Sequence, residues 1–350
     1  MTQPPSPPPP LRLRIDTAAL AANWRALDRL SGSARAGAAV KADAYGLGID
    51  QVAPTLAAAG ARDFFVAHWC EVPALLAHVP GAQVAVLHGP LTLADASYAR
   101  ASNVRPVINS LHQARLWLES GGGPCHLMVD TGINRLGLPL AQLGDTLVAR
   151  LQIEVLHSHL ASADEDSAQN IRQLARFREV VSAGLAPRHA LANSAGIALG
   201  PDYAFDLTRP GLALYGGVPR AELAGLIAQV AYPQAAVLQL RDLAAGDQVG
   251  YGATFTAPVP MRVATVSIGY ADGLLRSWAG KGAAFRFQGA ALPLIGRVSM
   301  DMVVLDATAA PGLATGDFVE VPYALPEAAR LSGLAQYELL TLLGDRFLRG

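Results

Sequence analysis

Short apolar runs alternate with longer amphipathic segments over the first two thirds of the chain. The runs Phe64-Phe65-Val66 and Val84-Ala85-Val86 are rich in β-branched or aromatic residues and have the length of buried strands. The segments 17–30, 110–120 and 167–183 carry apolar residues at helical spacing. Alternation of strand and helix is typical of parallel βαβ units. The pattern therefore predicts an α/β architecture with parallel strands.

The number of these units separates two architectures. About eight strand–helix units fit into about 220 residues, which is typical of a (β/α)8 barrel of the TIM type. The alternative is a doubly wound sheet, which usually carries a glycine-rich phosphate loop after its first strand. The segment after the first predicted strand contains Gly46 and Gly48 but no third glycine at the required spacing. The sequence therefore favours the barrel.

The pattern changes in the last third of the chain. Strand-like runs follow one another there without long helices between them, and only 325–343 has a helical pattern. The chain is thus predicted to divide into three parts. These are a proline-rich tail over residues 1–10, a barrel over residues 11–230 and a separate, mostly-β domain over residues 231–350. The first strand, 11–15, could pair with the β domain instead of the barrel.

Composition excludes several classes of protein. Of the 350 residues, 51% are hydrophobic and 16% charged, and the net charge is −1. Such a chain is not disordered throughout, and it has no basic surface for nucleic acid. No apolar stretch approaches the roughly 18 residues of a membrane-spanning helix. Two cysteines and the lack of a signal-peptide pattern predict a cytoplasmic protein, and the histidine spacing predicts no metal site.

Candidate chemistry lies where the barrel strands end, since reactive residues of TIM-type barrels occupy the C-terminal ends of the strands. Lys41 closes the first predicted strand between apolar neighbours, so burial should lower the pKa of its ammonium and favour Schiff-base chemistry. A lysine that only extends into solvent is the alternative. Near the last two strands, the Ser194 hydroxyl and the amides of Gly211 and Leu212 could hold a phosphate. A lysine and phosphate donors suggest pyridoxal phosphate, although class I aldolases share a barrel lysine.

The segment around Lys41 reads Val40-Lys41-Ala42-Asp43-Ala44-Tyr45-Gly46-Leu47-Gly48. It resembles the pyridoxal-lysine motif of the bacterial alanine racemases, a family of fold-type III pyridoxal-phosphate enzymes. The remaining matches occur in the same order as in the family, at 129–137, 157–164, 192–195, 209–216, 250–255, 269–273, 296–301 and 337–338. The resemblance thus extends from about residue 12 to the C-terminus.

The resemblance implies a homodimer with shared active sites, in which the β domain covers the partner's barrel. Lys41 would bind pyridoxal phosphate covalently. The other cofactor contacts carried over from the family are Tyr45, His159, Ser194, Arg209, Gly211, Leu212 and Tyr337. Arg209 would face the pyridine nitrogen and keep it unprotonated, because a fixed cation opposes a second positive charge.

The implied reaction is interconversion of L-alanine and D-alanine, which supplies D-alanine for peptidoglycan. Racemisation needs a base on each face of a planar carbanion. Lys41 would act on the D-enantiomer, and Tyr251 of the partner subunit would act on the L-enantiomer. Without the resemblance, Tyr251 would be interpreted as an aromatic residue in a β-turn. The substrate contacts carried over from the family are Arg135, Tyr270, Met300 and Asp301.

One position departs from the family pattern, and two other functions stay open. Many family members carry a carbamylated lysine where this chain has Met128, so Arg135 lacks that negative partner. A related racemase with a broader substrate range is one alternative. A non-enzymatic pyridoxal-phosphate carrier is the other, but such carriers resemble the barrel alone and lack the β domain.

Overall fold

The computed structural model describes residues 7–350, and the chain forms two compact units. The larger unit is Thr17–Ala228. The smaller unit combines the chain up to Asp16 with Gln229–Gly350. Of the predicted proline-rich tail, residues 1–6 lie outside the described part of the chain.

Parallel strands form the interior of the larger unit, and their order in the sheet follows the order of the chain. The Ala39 amide donates a hydrogen bond to the Pro210 carbonyl at 2.8 Å, which joins the end of the sheet to its beginning. The Arg209 amide donates to the Ala192 carbonyl, also at 2.8 Å, and joins the last two strands. The prediction of a (β/α)8-type barrel is therefore confirmed. The strands are Arg35–Ala36, Ala38–Ala39, Phe64–Val66, Val84–Val86, Arg105–Ile108, Pro124–Asp130, Gln152–His157, Arg188–Ala190 and Leu207–Thr208, with a short additional strand at Leu138–Pro139.

Helices cover the outside of the barrel, so its strands are buried on both faces and are apolar without alternation. Phe64, Val84 and Leu127 are all fully buried. The α-helices of this unit are Thr17–Leu30, Ile49–Ala59, Val72–Leu76, Leu93–Ala101, Leu111–Glu119, Thr146–Ala149, Ala168–Ser182 and Ser194–Ala198, and a short left-handed turn occupies Lys41–Tyr45. Side-chain caps explain where two of these helices begin. Ser110 Oγ accepts a hydrogen bond from the Gln113 amide, and Ser167 Oγ accepts one from the Gln169 amide. No helix between residues 7 and 350 combines the length and the apolarity needed to cross a membrane.

The smaller unit is an antiparallel barrel organised by one long strand, Ala231–Leu243. Its first half pairs with Leu11–Ile15 and Phe318–Glu320, and its second half pairs with Met261–Val266 after an irregularity in register between Val237 and Gln239. Such an irregularity bends a strand, which lets one strand pair on both sides of the closed sheet. The strands of the unit are Leu11–Ile15, Ala231–Leu243, Gln248–Val249, Phe255–Thr256, Met261–Val266, Ala284–Phe287, Ala290–Ile295, Val303–Asp306, Phe318–Glu320 and Leu348–Arg349.

The helical pattern near the C-terminus forms two helices instead of one. They are Leu325–Ser332 and Gln336–Thr341. Gly333 separates them with a φ of +75°. A residue in this left-handed conformation ends a helix, and glycine adopts it without a steric penalty. The stretch 325–343 is therefore helical, as its pattern indicates, but it is divided into two short helices.

Candidate active site

Lys41 lies at the start of a left-handed turn, two residues beyond the last strand residue, Ala39. It therefore follows the first strand and does not close it. Ala42, Asp43, Ala44 and Tyr45 have φ values between +52° and +58°. This conformation costs a non-glycine residue about 1–3 kcal/mol, so contacts from other parts of the fold must hold the turn. The turn displays Lys41 at one end and Tyr45 at the other.

The environment of Lys41 favours its neutral amine. Burial lowers the pKa of the Lys41 ammonium, and the positive charges of Arg135 and Arg209 lower it further. The carboxylate of Glu71 acts in the opposite direction and raises it. A neutral amine is the form that attacks a carbonyl or removes a proton, so the structure supports the predicted reactivity of Lys41.

Tyr45, Ser194 and Gly211 meet at the end of the barrel where the last strand finishes. The Ser194 hydroxyl is buried and accepts hydrogen bonds from the Gly211 amide at 2.9 Å and from the Ala213 amide at 3.1 Å. A Cβ atom on Gly211 would lie 2.3 Å from the Tyr45 hydroxyl oxygen. Leu212 opens a short 3-10 helix, Leu212–Tyr215, directly after this glycine. Hydroxyl groups and the amides at the start of a helix are donors that bind phosphate.

Arg209 is a buried cation whose hydrogen bonds are incomplete. Its Nη2 donates to the Ser158 carbonyl at 2.5 Å, whereas its Nε has no hydrogen-bond partner among the described residues. Burial lowers the pKa of the guanidinium to about 10, so it stays charged at neutral pH. A buried N–H without an acceptor is rare in native proteins and indicates that a group absent from the polypeptide completes the site.

His159 is held neutral beside this cation. Burial lowers the pKa of its imidazole to about 3, with further contributions from Arg209, Arg135 and Lys41. Arg135 itself is exposed. It follows a turn in which Asp130 Oδ1 accepts hydrogen bonds from three successive amides, those of residues 132–134. The barrel thus brings Arg135 and His159 into the electrostatic surroundings of Lys41.

A buried histidine pair lies inside the barrel. His157 Nε2 and His126 Nδ1 are 2.9 Å apart, and His157 Nδ1 has no hydrogen-bond partner among the described residues. Burial lowers the pKa of both imidazoles, that of His126 to about 3. Met128 is the strand partner of His157 and is buried as well. A thioether in this position leaves no amine that could be carbamylated.

The remaining candidate site residues lie in the smaller unit, where backbone hydrogen bonds join two of the loops that carry them. The Tyr270 amide donates to the Ser299 carbonyl at 3.1 Å, and the next amide donates to the Met300 carbonyl at 3.0 Å. Asp301 forms an ion pair with Arg346 at 2.8 Å, and the same guanidinium binds the fully buried Asp272 at 2.7 Å. Arg346 therefore connects the loop of Tyr270 to the turn of Met300 and Asp301.

Tyr251 and Tyr337 are the most exposed of the predicted site residues with aromatic side chains. The exposed fraction is 67% for Tyr251 and 41% for Tyr337. Tyr251 lines a surface cleft with Arg297, Ser299 and Met302. Tyr337 lies on the helix Gln336–Thr341. The structure thus groups the predicted barrel residues Lys41, Tyr45, Arg135, His159, Ser194, Arg209, Gly211 and Leu212, and it places Tyr251, Tyr270, Met300, Asp301 and Tyr337 in the smaller unit.

Three residues with clear roles in these sites were not predicted from the sequence. Glu71 accepts a hydrogen bond from the Ala42 amide, which directly follows Lys41. Tyr215 is fully buried and donates its hydroxyl to the Ala39 carbonyl at 2.8 Å, and Arg346 is the ion-pair partner described above. The position of Glu71 shortly after a barrel strand is the one signal that could have identified it. Within residues 7–350, no group of three histidine, cysteine or acidic side chains could hold a metal ion.

Comparison with known sequences identifies the family of both units. The family described as "Alanine racemase, N-terminal domain" matches residues 15–219, and "Alanine racemase, C-terminal domain" matches residues 230–350. The biosynthetic alanine racemase of Agrobacterium fabrum is 43% identical, over 97% of this chain and 93% of its own length. An alanine racemase of Methylobacterium nodulans is 42% identical, over 96% of this chain and 94% of its own length.

Solved structures agree with these sequence matches. Alanine racemase from Bartonella henselae, crystallised with covalently bound pyridoxal phosphate, has a TM-score of 0.86 and 36% identity, covering 97% of this chain and 99% of its own. The biosynthetic alanine racemase of Pseudomonas aeruginosa has a TM-score of 0.85 and 33% identity, covering 97% of this chain and 98% of its own. The matched segments, the barrel with its lysine turn and the second β unit together show that this chain belongs to the alanine racemase family.

Proposed function

We propose that this protein is a pyridoxal-phosphate-dependent alanine racemase, an isomerase that interconverts L-alanine and D-alanine. One observation carries the proposal. A partly buried lysine with a lowered pKa lies in the same barrel mouth as an unsatisfied buried arginine and a set of hydroxyl and amide donors. This combination provides an amine, a fixed cation and a phosphate site, which are the three elements that pyridoxal phosphate requires of a protein.

The residues present fit that cofactor. Lys41 is the amine that would bind it, and Tyr45, Ser194, Gly211, Leu212 and Tyr337 would hold its phosphate. Arg209 would face the pyridine nitrogen, and His159 would pack beside the ring. The unpartnered Arg209 Nε supports this assignment, because the buried donor needs an acceptor. When bound, pyridoxal phosphate supplies the electron sink that makes the α-proton of an amino acid removable.

The side chains of this chain would then handle the proton. Lys41 acts as the base for D-alanine, since its lowered pKa leaves a larger fraction of neutral amine. Arg209 stays positively charged, so a nitrogen placed against it stays unprotonated. His159 has a pKa of about 3 and therefore adds no competing proton at neutral pH.

A second base completes the proposal. We infer that the protein is a homodimer and that Tyr251 of the partner subunit removes the proton of L-alanine from the opposite face. Its high exposure within the protomer is consistent with a side chain that acts outside its own unit. Arg135 and the Met300 amide would bind the substrate carboxylate. Tyr270 would narrow the access channel, and Asp301 would organise the Met300 turn.

The proposal extends to domain organisation and location. We propose two functional parts, a pyridoxal-phosphate-binding barrel over residues 11–230 and a β-rich domain over residues 231–350. The strand Leu11–Ile15 is an exception, because it pairs with a strand of the β-rich domain and would belong to that domain. A cytoplasmic enzyme would supply D-alanine for peptidoglycan there. The β-rich domain distinguishes this chain from a carrier that consists of a barrel alone.

Borohydride trapping tests the lysine assignment. The chain contains only two lysines, Lys41 and the exposed Lys281. Purified protein mixed with pyridoxal phosphate should lose its visible absorbance on borohydride reduction and carry the label on the Lys41 peptide. Labelling of Lys281 alone would contradict the assignment.

Isotope exchange tests the reaction and its two bases. Interconversion of the enantiomers should be measured across a panel of amino acids, and a rate for serine or basic amino acids equal to that for alanine would indicate the broader-specificity racemase. The Tyr251→Phe variant should lose α-deuterium exchange from L-alanine far more than from D-alanine. Equal loss from both enantiomers would contradict the assignment of one base to each face.

A further inference from the structure

We propose that Glu71 is a positioning residue for Lys41, which holds the backbone of the lysine turn and sets the charge around the lysine amine. The inference rests on the proposed function only in treating Lys41 as the reactive lysine. Glu71 belongs to the short helix Trp69–Glu71, which follows the barrel strand Phe64–Val66.

One carboxylate connects two loops at the barrel mouth. Glu71 Oε2 accepts hydrogen bonds from the Ala67 amide at 2.7 Å and the His68 amide at 2.8 Å, both in its own loop. Glu71 Oε1 accepts a hydrogen bond from the Ala42 amide, which directly follows Lys41. Hydrogen bonds from backbone amides to an ionised carboxylate are stronger than those between neutral groups. Glu71 therefore connects the loop after the strand Phe64–Val66 to the lysine turn.

The hydrogen bond to Ala42 acts where the turn needs support. Ala42 is the first of the residues with left-handed backbone, and local propensity opposes this conformation in alanine. Within the turn, Asp43 Oδ1 accepts a hydrogen bond from the Ile49 amide at 2.8 Å, at the start of the next helix. Two carboxylates thus connect the turn to the segments around it. A carboxylate that only capped its own short helix would not also accept a hydrogen bond from the Ala42 amide.

The same carboxylate supplies negative charge to a cationic site. Arg135 and Arg209 lower the pKa of Lys41, whereas Glu71 raises it. The positive charge of Lys41 contributes to lowering the pKa values of two histidines, His88 and His159. Both are therefore neutral at neutral pH. Glu71 is the acid that counteracts the two arginines among the groups that shift the Lys41 pKa. Its removal should therefore lower the Lys41 pKa further.

The test compares Glu71→Gln with the matched control Glu179→Gln, an exposed acid on the helix Ala168–Ser182. The full chain, freed of cofactor, is treated with acetic anhydride over a range of pH. Mass spectrometry then gives the ratio of Lys41 to Lys281 acetylation, with Lys281 as the internal reference. Each variant's ratio is divided by its own value at high pH, where both amines are neutral, so that a change in reagent access cancels. At a pH below the Lys41 midpoint, Glu71→Gln should raise this ratio about 3- to 10-fold, because more of the amine is neutral. Glu179→Gln should leave the ratio unchanged.

A purely structural role predicts the opposite change. If the loss of Glu71 only relaxed the turn, Lys41 would become more solvated, its pKa would rise, and the ratio would fall. An unchanged or lower ratio in folded Glu71→Gln therefore overturns the proposal. If that variant does not fold, Glu71→Asp replaces it, with a carboxylate one methylene further from the turn. Glu71→Asp should raise the ratio by a smaller factor, and no rise would again overturn the proposal.

The two proposals fail in different ways. Acetylation needs neither cofactor nor substrate, so a lack of racemase activity leaves its result valid. Failure of pyridoxal phosphate to label Lys41 in the wild-type chain would contradict the proposed function. A wild-type chain that is labelled at Lys41, together with a Glu71→Gln variant whose ratio does not rise, would contradict only the role of Glu71.

Discussion

The hydroxyl oxygen of Tyr45 lies 2.3 Å from the position that a Cβ atom on residue 211 would occupy. The amide of the same residue, Gly211, donates to Ser194 Oγ at 2.9 Å. A residue without a side chain is therefore required for Tyr45 to reach this corner of the barrel. The lysine turn and the last strand are coupled through this contact, although they lie far apart in the sequence.

We expect Gly211→Ala to push the Tyr45 ring away and to lower the free energy of unfolding by about 1–3 kcal/mol, the usual cost of overpacking. Pyridoxal phosphate should also bind more weakly, because Tyr45 is a proposed phosphate ligand. Urea unfolding and absorbance titration measure the two effects. Gly144→Ala is the control, since a Cβ atom there meets no atom within 4 Å. Wild-type stability and affinity in Gly211→Ala would contradict this prediction.

Ser194→Ala should destabilise the fold by about 1–3 kcal/mol, because it removes the acceptor of two buried amides, those of Gly211 and Ala213. The loss of the hydroxyl should also weaken binding of inorganic phosphate, measured by calorimetry. Ser182→Ala is a suitable control, because that serine is exposed and only donates to the Glu179 carbonyl at the end of its helix. Equal effects of the two substitutions would show that the amides need no acceptor from Ser194.

The buried histidines should make stability depend on pH. The pKa values of His126 and His159 are lowered to about 3, and that of His157 is lowered well below 6.5. The unfolded chain therefore binds more protons than the folded chain once the pH falls below the unfolded histidine pKa of about 6.5. Folding stability is fully present above that pH and is lost as the pH falls toward the folded pKa values.

One substitution isolates the contribution of His157. His157→Met removes one such group, and we expect it to reduce the slope of unfolding free energy between pH 4 and 6 by up to about 1.4 kcal/mol per pH unit, the limit set by one proton. Urea unfolding at a series of pH values measures this slope. His112→Gln, an exposed position on the helix Leu111–Glu119, is the control. A slope in His157→Met that equals the wild-type slope would be incompatible with the buried neutral pair.

Arg346→Gln should destabilise the smaller unit by about 1–3 kcal/mol. It leaves the carboxylate of Asp272, which is 1% exposed, without its cationic partner. The half-exposed position of Arg346 keeps the expected cost below that of a fully buried pair. Arg330→Gln breaks an exposed ion pair with Glu327 and should leave the free energy of unfolding close to the wild-type value, because solvent screens such pairs. Urea unfolding checks both variants, and equal losses would contradict the special role of Arg346.

The sequence predicts much of the barrel and many of the candidate site residues. The helix Thr17–Leu30 has the bounds that its apolar spacing predicts, and Leu111–Glu119 lies within the predicted segment 110–120. Membership of the alanine racemase family is confirmed by the matches over residues 15–219 and 230–350. These features depend on residues close in sequence, since helical spacing, caps and short motifs are local properties.

The arrangement around Lys41 depended on contacts between distant segments. Alanine and aspartate favour other backbone conformations, so nothing local predicts a left-handed turn over Ala42–Ala44. The turn is held by Glu71, 29 positions away in the sequence. The buried pair of His126 and His157 joins residues 31 positions apart. The sequence by itself thus determined the elements, their order and the reactive residue types. Only the tertiary structure decided the backbone handedness of the lysine turn and which charges surround the lysine amine, because both depend on residues from distant segments, among them Glu71, Arg135 and Arg209.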